Sequence, residues 1–146
     1  MEVLARFAKQ GLQWVQIDEP ILVLNLPQAW QDAFKAVYAQ LSLSLVKLLL
    51  ATYFGGLHEN LPLACALPVA GLHVNLSCAP EQLPAVVETL RSDQILLAGV
   101  INGRNIWRTD LDAAVQALQP IKELLGERLW LASSCSLMQR TRRSRE

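Results

Sequence analysis

Asp18 and Glu19 stand side by side, directly before Pro20. Two carboxylates at one site repel, which separates their pKa values, so that one can serve as an acid while the other stays a base. Successive strand residues point to opposite faces, so at most one of the pair readily faces a given side. The other reading is structural: a carboxylate that accepts hydrogen bonds from nearby loop amides before Pro20 ends the strand. His58, His73, Cys78 and Cys135 are metal-binding residue types, yet a metal needs three or four converging ligands, and no CxxC, HxxxH or HxC spacing occurs. Buried thiols and one hydrogen-bonded interior histidine explain them more simply. Arg104 and Arg108 bracket Trp107, a pattern able to hold a carboxylate or phosphate through guanidinium forks. An arginine that pairs with Asp110 or Glu19 to lock the loops fits equally. Asn102-Gly103 is a turn signal, with Gly103 free to take a positive φ. The row Ser133-Ser134-Cys135-Ser136 offers nucleophiles, but no glycine-framed elbow surrounds a serine and no histidine follows as a base, so it reads as strand-end packing.

These residues need elements to position them. Runs rich in Val, Ile and Leu at 14–17, 46–52, 71–76, 95–101 and 129–132 read as buried strands, and their starts lie 32, 25, 24 and 34 residues apart. Helical spacing of apolar residues fills the gaps at 26–40, 80–90 and 109–125, with Pro27 at a first-turn position, Thr109 or Asp110 as N-cap, and Gly126 closing the last helix. Residues 59–67 are too short and proline-interrupted for more than a turn or two. Strand and helix in alternation, with strands that are continuous apolar runs, predict a parallel sheet covered by helices. Periodicity leaves a doubly wound sheet and a β/α barrel open, but each strand ends in or near polar residues, and a barrel gathers such ends at one mouth. Five strands cannot close eight staves. The expected fold is therefore α/β: a partial (β/α)8 TIM-type barrel of about five parallel strands over residues 1–138.

The chain is 52% apolar and formally neutral, with 13 basic and 13 acidic residues. Four arginines fall in 139–146, so the rest carries nine basic against twelve acidic residues, and a general nucleic-acid or anionic-membrane surface is not expected. The tail reads as disordered or out of frame. Three widely spaced cysteines suit a reducing cytosol, no apolar run reaches the roughly 20 residues of a membrane span, and the amphipathic pattern of 1–10 is not a signal peptide.

The stretches WVQIDEPILVL at 14–24, KLLLATYFG at 47–55, LPVAGLHV at 67–74, GRNIWRTDL at 103–111 and RLWLASSCSL at 128–137 together resemble the cobalamin-independent methionine synthases. The resemblance covers residues 1 to about 138 and corresponds to the later part of that family's N-terminal barrel domain. It implies a cytoplasmic enzyme of two face-to-face barrels that moves a methyl group from 5-methyltetrahydropteroyl-oligoglutamate to homocysteine, giving methionine. It also implies zinc in the C-terminal barrel, where coordination lowers the pKa of the homocysteine thiol. The zinc ligands, the homocysteine pocket and most folate contacts of the family belong to that second barrel, and its N-terminal folate-tail contacts lie largely upstream of this stretch. No catalytic residue, no metal ligand and no cofactor therefore carries over to this chain. Asp18, Glu19, His73 and Arg104 remain as substrate-binding candidates at the mouth.

The chain departs from the family in having Asn25 and Asn75 where aspartate is expected, and in losing the family pattern after Leu137, as a truncated reading frame would. The function expected is that of a methionine synthase fragment, inactive alone. The alternatives are a non-catalytic degenerate barrel or interaction module that self-associates through open strand edges, and an independent α/β enzyme using Asp18, Glu19, His73 and Arg104.

Overall fold

The computed structural model describes residues 2–105 and 107–137. Five strands, β1 (Trp14–Asp18), β2 (Lys47–Ala51), β3 (Gly71–Val74), β4 (Ile95–Ile101) and β5 (Leu129–Ser133), form one sheet in the order of the chain, all parallel. A doubly wound sheet reverses its strand order at a switch point. This one never does, which is the barrel arrangement.

Register sorts the side chains into two rows. Ile17, Leu50, Leu72, Leu96 and Leu129 follow one another through the strand pairings, as do Asp18, Ala51, His73, Leu97 and Trp130 in the neighbouring row. The first row faces the helices. Leu50, Leu72 and Leu96 are fully buried there against Phe34 and Tyr38 of α2 (Gln28–Leu41), Leu63 of α3 (Leu61–Ala66), Val86 of α4 (Leu83–Thr89) and Leu118 of α5 (Leu111–Leu125). Each such leucine contributes about 1.5–3 kcal/mol on burial. The second row lines the concave face, and its apolar members make the strands apolar on both sides.

Trp14 and Trp130 show how strongly the sheet is curved. In a flat sheet, strands four places apart stand about 19 Å from each other. Here the two rings meet across the concave face with centroids 5.2 Å apart.

Local signals explain most boundaries. Asp110 caps α5 by accepting the Ala113 amide at 3.0 Å, and Gly126 ends it at φ 56°. Pro27 sits at the N-cap of α2 rather than inside its first turn. Strand β3 stops at Val74, two residues before the apolar run does, because Asn75 O turns to accept the Ala79 amide and Gln82 Nε2. Residues 80–90 divide into a 3-10 turn, Pro80–Gln82, and α4. One helix was not foreseen: α1 (Glu2–Lys9) buries Leu4 and packs Phe7 and Ala8 against the core. Among the described residues no helix is long and apolar enough to cross a membrane. The arginine-rich segment 139–146 lies outside the described residues.

Candidate functional site at the strand ends

Gln16 and Asp18 belong to alternate positions of β1 and so share its concave face. With Tyr53 just past β2, His73 of β3, Ser133 of β5 and Cys135 they line a cleft of about 250 Å³ at the carboxyl ends of the strands. Gln16 Nε2 donates to Asp18 Oδ1 at 2.7 Å and to the Tyr53 hydroxyl at 2.7 Å, and that hydroxyl donates to Asp18 Oδ1 at 3.2 Å. Burial, reinforced by the Asp18 charge, pushes the Tyr53 phenol up to about 12, so it stays a donor at neutral pH. The result is an exposed carboxylate acceptor held in one orientation by two neighbours.

His73 is buried and edge-on to Tyr53, with ring centroids 5.4 Å apart. Its Nδ1 lies 2.9 Å from Thr52 O and its Nε2 2.8 Å from Ser133 O, so whichever nitrogen carries the proton donates to a backbone carbonyl. The ring ties the end of β5 to β2 and β3. It is the hydrogen-bonded interior histidine that the sequence suggested.

Glu19 takes no part in this cleft. It points to the helix side, where the buried Tyr38 hydroxyl donates to Oε1 at 3.1 Å. The adjacent carboxylates therefore face opposite sides of the sheet. Their partners are side-chain donors, whereas loop amides were expected. Burial raises the Glu19 pKa, the Tyr38 hydrogen bond opposes the rise, and the Asp18 charge adds to it. A raised pKa means that the ionised form costs stability at high pH, a penalty relieved as the pH falls to the ordinary carboxylate range. Glu19→Gln keeps an acceptor for Tyr38. It is expected to raise stability near pH 8, with the gain vanishing near pH 4. Urea midpoints at the two pH values test this, and equal gains at both would refute it.

Arg104 is likewise corrected. It forms no ion pair with Asp110, which caps α5, or with Glu19, and its guanidinium instead lies 5.8 Å from the Phe54 ring centroid. Trp107 and Arg108 are exposed. Gly103 does not take a positive φ. Its missing side chain serves close approach, since a Cβ there would stand 2.9 Å from both Cys135 O and Cys135 Sγ. The Gly103 amide donates to Ser134 Oγ at 3.1 Å, and His73 reaches Ser133 O, so the serine row packs the strand end as expected. Gln16 was missed as a site residue, although a polar residue two places before Asp18 in an apolar strand was the available signal.

Asn75 is fully buried. Its Oδ1 accepts the Cys78 amide at 3.1 Å while Nδ2 has no partner among the described residues. A carboxylate, which the family resemblance leads one to expect here, would have no such donor to leave unpaired.

The model of the cobalamin-independent synthase N-terminal domain matches residues 1–126. The chain belongs to this family. It is 59% identical over 136 residues to a Vibrio cholerae serotype O1 protein named 5-methyltetrahydropteroyltriglutamate–homocysteine methyltransferase, a match that takes in 93% of this chain and 18% of that one. The chain thus spans less than a fifth of this relative's length. A Listeria monocytogenes structure assigned as a vitamin-B12-independent methionine synthase superposes with a TM-score of 0.71, over 94% of this chain and 46% of its own, at 16% identity, and so supports the barrel-type fold.

The described residues do not fit the zinc ion that the family resemblance implies for the full-length enzyme. No three His, Cys, Asp or Glu side chains come together, Cys65 and Cys135 are buried apart from the exposed Cys78, and both His73 nitrogens face carbonyls.

Proposed function

We propose that this chain is part of the N-terminal barrel of a cobalamin-independent methionine synthase. The reaction of the full-length enzyme is methyl transfer from 5-methyltetrahydropteroyl-oligoglutamate to homocysteine, with zinc held by residues outside this chain. The chain alone does not catalyse it. The identity of 59% to a protein named for this reaction carries the assignment. The side chains support the inactivity, because the cleft offers an oriented acceptor at Asp18 and a structural histidine but, among the described residues, no grouped ligands for a metal. Asp18 and Arg104 are the two candidates whose side chains are exposed near the mouth, so substrate contact falls to them, while Glu19 and His73 hold the scaffold. We place the barrel portion at 1–138, the arginine-rich segment apart from it, and the protein in the cytosol, where its three free thiols are stable.

Two experiments test this. The purified chain with zinc and both substrates is expected to form no methionine above background, and turnover would refute the inactivity. A Vibrio cholerae enzyme whose 136 aligned residues are replaced by those of this chain is expected to support growth of a methionine-requiring strain. A soluble, folded chimera that fails to do so would sink the family assignment of function.

A further inference from the structure

Asn102-Gly103 is a turn signal that neither the cleft nor the family assignment uses. The pair is also chemically reactive. Glycine leaves its own amide nitrogen unshielded, and of the five asparagines only Asn102 precedes one, since Asn25, Asn60 and Asn75 precede leucine and Asn105 precedes isoleucine. In such a pair the glycine nitrogen loses its proton to water and bonds to the asparagine Cγ, while the Cγ–Nδ2 bond breaks and ammonia leaves. A five-membered succinimide remains. Water then adds to one of its two carbonyls, giving aspartate where the ring opens at Cγ and isoaspartate where it opens at the main-chain carbonyl.

The fold holds both reacting groups. Gly103 is buried and its amide donates to Oγ of the fully buried Ser134 at 3.1 Å, so the nucleophile faces a hydroxyl instead of water. The Ser134 amide in turn donates to Ile101 O at 2.7 Å, so one residue past β5 fixes the backbone on both sides of Asn102. Cys135 O and Sγ crowd the Gly103 Cα, which leaves its peptide little space to turn toward Cγ. The electrophile is held too, because Asn102 Oδ1 accepts the Arg104 amide at 2.9 Å. Asn102 itself is half-buried and lines a groove of about 350 Å³ beside α5, where water can reach it.

We propose that Asn102 is a latent site of succinimide formation, which Ser134 keeps shut while the end of β5 stays on β4. Release of that strand end frees the Gly103 nitrogen to attack. The product places a new carboxylate, or an extra main-chain methylene, two residues before Arg104, whose guanidinium lies 5.8 Å from the Phe54 ring centroid at the mouth. The inference rests on these hydrogen bonds and not on the methyl-transfer reading, so either can fail alone.

The test follows the full chain at mildly alkaline pH by peptide mapping that separates the asparagine, aspartate and isoaspartate forms at position 102. The folded chain is expected to convert at least roughly tenfold more slowly than the same chain unfolded in urea, since two hydrogen bonds of about 1 kcal/mol each must open first. Ser134→Ala, shown to be folded by circular dichroism, is expected to convert roughly fivefold faster than the parent chain, the effect of one such bond. A second measurement needs no variant: in the parent chain the Gly103 amide should be protected against hydrogen exchange. Three results would overturn the proposal: a folded chain that converts no more slowly than the unfolded one, a folded Ser134→Ala variant no faster than its parent, or a Gly103 amide that exchanges as freely as in urea.

Discussion

Gly99→Ala is expected to lower the stability of this domain by about 3 kcal/mol, the sum of an overpacked core position and a disturbed buried hydrogen bond. His73 must cross β4 to reach Ser133 O on β5, and it passes over Gly99. A Cβ at this position would stand 2.7 Å from Val74 O and 2.8 Å from His73 Nε2. Neither neighbour can give way cheaply. Val74 O belongs to a paired strand, and His73 is held at both ring nitrogens. Urea unfolding of the variant checks the figure, and a loss under about 1 kcal/mol would show that the histidine bridge bears little of the load. In a double variant with His73→Ala the two losses should fall short of additive, since they act on one contact.

Arg91→Ala is the second large effect, expected to cost about 3 kcal/mol because charge-assisted bonds to buried carbonyls contribute roughly 1.5–3 kcal/mol each and add incompletely. Helix α3 has six residues, too few to persist without support, and its last carbonyls have no partner within the helix. Arg91 supplies that support from the far side of α4. Its Nη1 donates to Cys65 O at 2.8 Å and Leu67 O at 2.7 Å, and Nη2 donates to Val69 O at 3.0 Å. The position is fixed in turn by Arg128 Nη1, which donates to Arg91 O and Gln94 O. Lysine lacks the planar fork, so Arg91→Lys should recover less than half of the loss. Faster amide exchange confined at first to α3 and the segment leading to β3 would accompany the destabilisation. Uniform exchange across the sheet would argue against this local role.

Neither effect was visible in the sequence, and for the same reason. Gly99 and Arg91 act on groups 26 and about 24 residues away in the chain, through contacts that only the strand register and the α3–α4 packing create. Asp18 and Glu19 show the boundary from the other side. Strand alternation required that they face opposite ways, and they do, but which one joins the cleft depends on which face of the sheet the helices cover. The sequence offered Arg104 two acidic candidates, Asp110 six residues on and Glu19 far back in the chain, yet Asp110 accepts a helix amide, Glu19 accepts from Tyr38, and the guanidinium lies over Phe54. The amphipathic pattern of residues 1–10 was itself the available signal for helix α1, and its burial of Leu4 follows from the sheet it packs on.

By itself the sequence determined the five strands, their parallel class, most helix positions and the family, because apolar runs, caps and shared motifs are local and repeat along the chain. The tertiary structure decided the rest. It made Asp18 an oriented acceptor, His73 a bridge and Glu19 a helix-side partner, and it brought Trp14 against Trp130 across a curved sheet. Those outcomes depend on register, on curvature and on which face is covered, all of which arise only when distant segments pack together.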